Sequence, residues 1–203
     1  MFAEITLPLA TAGWAAIATA TAATLHRRLH TDELTGIGNR AALRRHARRF
    51  RRSVLVGVLL IDLDRFKAIN DTHGHDFGND VLTAVAARLA EHTKPGERVV
   101  RLHGDEFAVH LGRVASRAAA QHRAEQIAQA FAEPLEVRGR QITALGSVGL
   151  AVTEAGTSLA DLLGVADRRM YRAKAKHARR MPALPAPRPR RVRDFSPQPD
   201  HAA

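Results

Sequence analysis

The stretch Val99-Val100-Arg101-Leu102-His103-Gly104-Asp105-Glu106-Phe107-Ala108-Val109-His110-Leu111 constrains this chain more than any other. Two short alternating apolar runs flank a polar centre with a glycine, the pattern of a β-hairpin whose turn carries functional groups. Two adjacent carboxylates, Asp105 and Glu106, fall in that turn. Like charges held side by side repel unless a cation lies between them, so the pair needs open solvent or a metal ion. A plain solvated turn is the alternative.

A second stretch favours the metal. Val54-Leu55-Val56-Gly57-Val58-Leu59-Leu60-Ile61 is almost unbroken apolar sequence, as expected of a strand covered on both faces, and it runs into Asp62-Leu63-Asp64. Carboxylates just past a buried strand sit where α/β-type folds place ligands. Asp64 is read as the cap of a helix starting near Arg65. Asp62 comes one residue too early for that role. The chain has no cysteine, so any metal is held by oxygen or histidine.

At this point the residues resemble a known family. His103 to Phe107 is similar to the signature of the GGDEF domain of diguanylate cyclases, with His in place of the first Gly. Asp32-Glu33-Leu34-Thr35-Gly36-Ile37-Gly38-Asn39-Arg40, Asp62 through Asp71, Gly74-His75 through Gly78, and Ala166-Asp167 through Lys174 agree in order and spacing. Together they cover about Thr31 to Arg180.

Three regions follow: an N-terminal apolar segment over 1–30, a GGDEF-like domain over 31–180, and a Pro/Arg-rich tail over 181–203. Ile5 to Leu25 is uncharged and is followed by His26-Arg27-Arg28, which suits one membrane crossing with that end held in the cytoplasm. Its Ala and Thr content and Pro8 are poor for a span, so a helix packed on a partner, in a cytoplasmic protein, is the alternative. The tail cannot bury enough apolar area to repay its ordering entropy and is expected to be disordered.

Between these ends, Asn39 is placed to cap a helix reaching about Arg52. Phe66 to Asn70 reads as a short helix, Asp71 to Gly78 as a loop, and Val81, Leu82, Val85 and Leu89 as the apolar side of a helix ending near His92. Ala118 to Phe131 is a further amphipathic helix. A second hairpin turns at Arg138-Gly139-Arg140, Ser147 to Val152 is a buried strand, and Ser158 to Asp161 fits a capping box. The pattern is α+β. The resemblance implies a sheet of about five strands wrapped by helices, related to the palm of nucleotide polymerases.

The resemblance also implies an activity: condensation of two GTP into cyclic di-GMP with loss of pyrophosphate, each half of a homodimer holding one GTP. The cofactor it implies is Mg2+ or Mn2+, and Asp62, the Leu63 carbonyl, Asp105 and Glu106 match the family's ligands. The resemblance places residues 31–39 beside the triphosphate. Lys67 and Lys174 match the lysines that reach phosphates, Asn70 matches the residue on the guanine edge, and His103 and Gly104 lie in the matching signature turn. His75 is expected to be structural.

Four departures stand out. Asn79 replaces the usual guanine-accepting Asp, and an amide turned donor to donor costs about 1–3 kcal/mol unless Asn79 instead caps the Val81 helix. His103 costs about 1–2 kcal/mol if its position needs a positive φ, and it crowds the nucleotide. Ala178 stands where an arginine is usual, with Lys176 and Arg179 close by. Lys94 and Glu97 take the places of the Arg and Asp of the inhibitory product site, and lysine lacks arginine's fork.

Two other readings compete with a cyclase. One is a catalytically degenerate domain that binds GTP or cyclic di-GMP as a regulatory module. The other rests on charge: 31 basic residues against 20 acids, net +11, much of it between Arg44 and Arg52 and from Arg172 onward, which suits weak polyanion binding by the tail.

Overall fold

The structure, a computed structural model, describes residues 18–22, 24, 25, 27–50, 54–143 and 146–180, the last five without their side chains. The tail 181–203 and most of the 5–25 segment lie outside the described residues. Residues 18–22, 24 and 25 are helical, and among the described residues no helix is long and apolar enough to cross a membrane.

The chain runs α1 (Arg40–Ala47), β1 (Leu55–Leu63), α2 (Phe66–His73), α3 (His75–Glu91), β2 (Arg98–His103), β3 (Glu106–Arg113), α4 (Arg117–Ala132), β4 (Leu135–Val137), β5 (Arg140–Ile142), β6 (Gly146–Glu154) and α5 (Leu159–Arg180). Four strands form an antiparallel sheet in the order β2-β3-β1-β6, and β4-β5 is a separate hairpin. The central sheet therefore has four strands rather than about five.

β1 is the axis of the fold. Its alternating side chains enter two cores. Leu59, Ile61 and Leu63 pack with Phe77, Val81 and Val85 of α3 and with Ile127 and Phe131 of α4. Val56, Val58 and Leu60 pack with Leu43 of α1 and with Leu162, Ala166 and Met170 of α5. The even-numbered face, which includes Asp62, thus looks toward α1 and α5.

Local signals set most helix starts. Asn39 Oδ1 accepts from the amides of Ala41 and Ala42 at 2.9 and 3.1 Å, and Ser158 Oγ accepts from the Asp161 amide at 3.1 Å. α1 stops at Ala47 instead of reaching Arg52, because the chain turns and Phe50 stacks on the buried His110 ring, centroids 5.2 Å apart.

Two expectations are corrected. Asp64 does not cap α2: that helix starts after Arg65, whose φ is 60°, without a side-chain cap, while Asp64 Oδ1 accepts from Ser147 Oγ at 2.7 Å. Asp71 to Gly78 is not a loop, since only Gly74, with φ 89°, separates α2 from α3. Gly78 serves close packing, because a Cβ there would lie 1.9 Å from Asn70 Oδ1. Asn79 is consequently inside α3 and caps nothing; its carbonyl accepts from Thr83 Oγ1 at 3.0 Å.

A glycine on β6 governs how near α5 can come. A Cβ on Gly149 would stand 2.0 Å from the Ala166 carbonyl oxygen and 2.4 Å from the Met170 nitrogen, both backbone atoms. Gly149→Ala is therefore expected to cost about 1–3 kcal/mol, measured by urea denaturation, because the whole helix must shift. Gly36→Ala, whose Cβ meets nothing within 4 Å, tests backbone strain alone.

Candidate functional site

The acidic residues converge through strand register. β1 pairs with β3 so that Asp62 is opposite Glu106, and with β6 so that it is opposite Ser147. The β2–β3 turn is Gly104-Asp105, with Gly104 at φ 48°, and its Asp105 carbonyl accepts from the Leu63 amide at 3.3 Å. This bond ties the turn to the end of β1, so Asp62, Leu63, Asp105 and Glu106 form one neighbourhood. Asp64 adjoins them, held by Ser147.

A lysine and an imidazole answer these acids. Lys174 Nζ, from α5, donates to Asp62 Oδ1, and His103 Nε2 lies 3.2 Å from Glu106 Oε2. Burial pushes the Asp62 carboxyl above its ordinary range, Lys174 pulls it back, and Asp105 and Asp64 push it up again. Glu106 is raised by burial and by Asp62, Asp105 and Asp167, against the pull of His103. Burial works against the Lys174 charge, but the bond to Asp62 and the fields of Asp105 and Asp64 outweigh it and raise its pKa. The neighbourhood carries more negative charge than its own cations remove.

That donor set fits a hard divalent cation: carboxylate oxygens and a backbone carbonyl, with positive charge already drawn onto Asp62. The described residues hold no ready cluster of three or more His, Asp or Glu as a cage. Lys174 and His103 occupy part of the carboxylates' capacity instead.

The entry loop is fastened to the same turn. Arg101 donates to the Gly104 carbonyl at 2.9 Å and to Asp32 Oδ1 at 3.1 Å, and Asp32 also accepts from the Thr35 amide and hydroxyl. Burial works against the Asp32 charge, but these bonds win and lower its pKa. The sequence reading assigned Arg101, Ser147 and Asp167 no role. Partners separated by 69 residues, as for Arg101 and Asp32, or by 83, as for Ser147 and Asp64, leave no local signal.

The remaining candidates sit around this core. Lys67 is exposed in the first turn of α2, Asn70 lies against Gly78, and Asn79 is exposed on α3. His75 is exposed at the start of α3. His103 is not in a positive-φ conformation, so the strain expected there is absent; Gly104 carries the positive φ. Lys94 and Glu97 face α4: Glu97 takes Arg123 Nε and Nη2 at 2.7 and 2.8 Å, and Lys94 Nζ donates to Gln126 at 3.2 Å. The side chains of Lys176, Ala178 and Arg179 are outside the description.

A four-stranded antiparallel sheet with helices on both faces, and an acidic site where a buried strand meets a Gly-Asp turn, define the class of domain. The chain belongs to the GGDEF family: the family model described as "Diguanylate cyclase, GGDEF domain" matches residues 29–180. Diguanylate cyclase DgcN of Escherichia coli (strain K12) is 38% identical over 162 residues, covering 77% of this chain and 40% of that protein. Diguanylate cyclase TpbB of Pseudomonas aeruginosa is 37% identical over 175 residues, covering 82% and 40%. The solved GGDEF domain of TpbB superposes with a TM-score of 0.64 at 37% identity, covering 72% of this chain and 90% of that one. The chain spans about two fifths of the length of these curated relatives.

The electrostatics set a pH dependence. A carboxyl raised by folding binds its proton more tightly in the native state, so its contribution to stability falls as pH climbs from the ordinary value of 3.8 through the raised one. Asp62→Asn abolishes that fall. In EDTA, the variant is expected to gain stability relative to the parent as pH rises across this window, measured by urea denaturation at stepped pH.

Proposed function

We propose that this domain condenses two GTP molecules into cyclic di-GMP with release of pyrophosphate, using Mg2+ or Mn2+ and a second copy of itself. The observation that carries the reading is the β1–β3 register, which sets Asp62 opposite Glu106 beside the Gly104-Asp105 turn. The names of the relatives DgcN and TpbB agree with it.

Asp62, the Leu63 carbonyl, Asp105 and Glu106 are the groups that would hold the ion. When bound, it supplies charge neutralisation of the triphosphate and acidifies the attacking 3'-hydroxyl. The chain's own residues bind and orient. Lys67 would place a point charge at the end of the triphosphate, and Lys174, which pairs with Asp62 in the folded chain, would reach a phosphate oxygen beside it. Asn70 and Asn79 offer carboxamides to the base from adjoining helices. Gly104 lets the turn bring its backbone close to the phosphates. Burial and the neighbouring acids raise the Glu106 pKa, which suits a group that receives a proton.

A second reading has its own observation. His103 already pairs with Glu106 at 3.2 Å, which suits a domain that binds nucleotide without turning it over. Incubation of the purified chain with GTP and Mg2+, followed by mass analysis, separates the two.

Cyclic di-GMP is expected from the parent chain, with loss of at least about 100-fold in Asp62→Ala and in Asp105→Ala. His103→Gly frees Glu106 and is expected to raise the rate. GTP binding without product assigns the domain to the second reading.

A further inference from the structure

The α1 side of β2 carries a second concave site, apart from the acidic cluster. A cleft of about 620 Å³ opens between the helical residues before Thr31, the entry loop, α1 and the start of β2. That size lies within the roughly 300–1,000 Å³ typical of small-molecule sites. Arg27, Arg45, Arg49 and Arg98 line it with His46. The carboxylate among its described lining residues, Glu97, is held by Arg123 on α4.

One feature points to an anionic ligand. Three of its four guanidiniums stand without a counter-charge: among the described residues no carboxylate pairs with Arg27, Arg49 or Arg98. Burial first, then the fields of Arg98 and Arg49, hold the His46 imidazole below its ordinary pKa, which places those guanidiniums near it. Beneath them His46 is part of the wall and supplies no anion contact of its own. It is 7% exposed, and its Nε2 faces the Gly96 carbonyl at 3.2 Å, so that nitrogen carries the proton. Nδ1 is then a buried acceptor with no partner. Ile37, Ala42, Ala90 and Val99 give the cleft an apolar floor.

We propose that this cleft binds a nucleoside di- or polyphosphate, its phosphates on Arg49, Arg98 and Arg27 and its base on the apolar floor. Guanidinium forks suit adjacent phosphates because each presents paired donors. The proposal does not rest on the cyclase reading.

The test is calorimetric titration of the full chain with GDP and with inorganic pyrophosphate, in EDTA. It is run in a Lys67→Ala/Lys174→Ala background, which removes the lysines assigned to phosphates at the other site. GDP is expected to occupy one site about tenfold more tightly than pyrophosphate, with a loss of about tenfold or more on adding Arg49→Ala/Arg98→Ala. Arg40→Ala/Arg44→Ala removes equal charge from residues lining a different cleft on α1 and is expected to leave GDP binding in place. Arg49→Lys/Arg98→Lys keeps the charge and is expected to recover part of the binding. Thermal melts check that each variant is folded. No GDP uptake, equal loss from the two arginine pairs, or binding that survives Arg49→Ala/Arg98→Ala overturns the proposal. GDP no tighter than pyrophosphate overturns the assignment of a nucleotide.

Discussion

A carboxylate at the end of a strand with no solvent face is the constraint on which the site depends. Asp62 is 8% exposed, on a strand buried from Val56 onward. Water cannot solvate such a group, so something else must carry the compensating charge. In the folded chain Lys174 does this, and it reaches Asp62 because α5 lies hard against β6 over Gly149. Removing a methyl group's worth of space between a helix and a strand thus sets the electrostatics of a site several residues away.

The sheet order supplies the second half. With β3 on one side of β1 and β6 on the other, the two neighbours of Asp62 are fixed as Glu106 and Ser147. A slip of one residue in β3 would turn the Glu106 side chain to the opposite face. The buried Phe107 next to it, fully enclosed in the core with α3, resists that slip. Packing of an apolar residue therefore holds the acidic one in place.

These relations explain what the sequence made legible. β1, the hairpin, the Asn39 cap and the Ser158 cap rest on signals within a few residues, and they appear as expected. Gly78 was misread as loop because glycine has two uses, turning and close approach, and only the three-dimensional neighbour Asn70 tells which applies. Asp64 looked like a cap because its partner Ser147 is remote in sequence. The acids themselves stood out in the sequence, but that Asp62 meets Asp105 and Glu106 was legible only through resemblance to a family, since register between β1 and β3 follows from packing that no local pattern encodes. Whether His103 or Gly104 takes the positive φ was left open for a similar reason: turn geometry is set by how β2 and β3 close on each other, and Gly104 takes it.

The Lys94–Glu97 turn shows how a recognisable pattern can take on another task. Glu97 and Arg123 are 7% and 11% exposed at their side chains and are joined by two short bonds, while Arg123 also donates to the His92 carbonyl. Removing one partner from such a pair leaves a buried charge uncompensated, at about 3–5 kcal/mol. A ligand that approached Glu97 from outside would have to displace Arg123 and meet that cost before gaining anything. Lysine in place of arginine at position 94 offers it only a point charge, already directed at Gln126. The turn is therefore suited to fixing the entry of β2 onto α4. Any control by a bound nucleotide has better chemistry on the opposite side of β2, where Arg27, Arg49 and Arg98 have no carboxylate partner among the described residues.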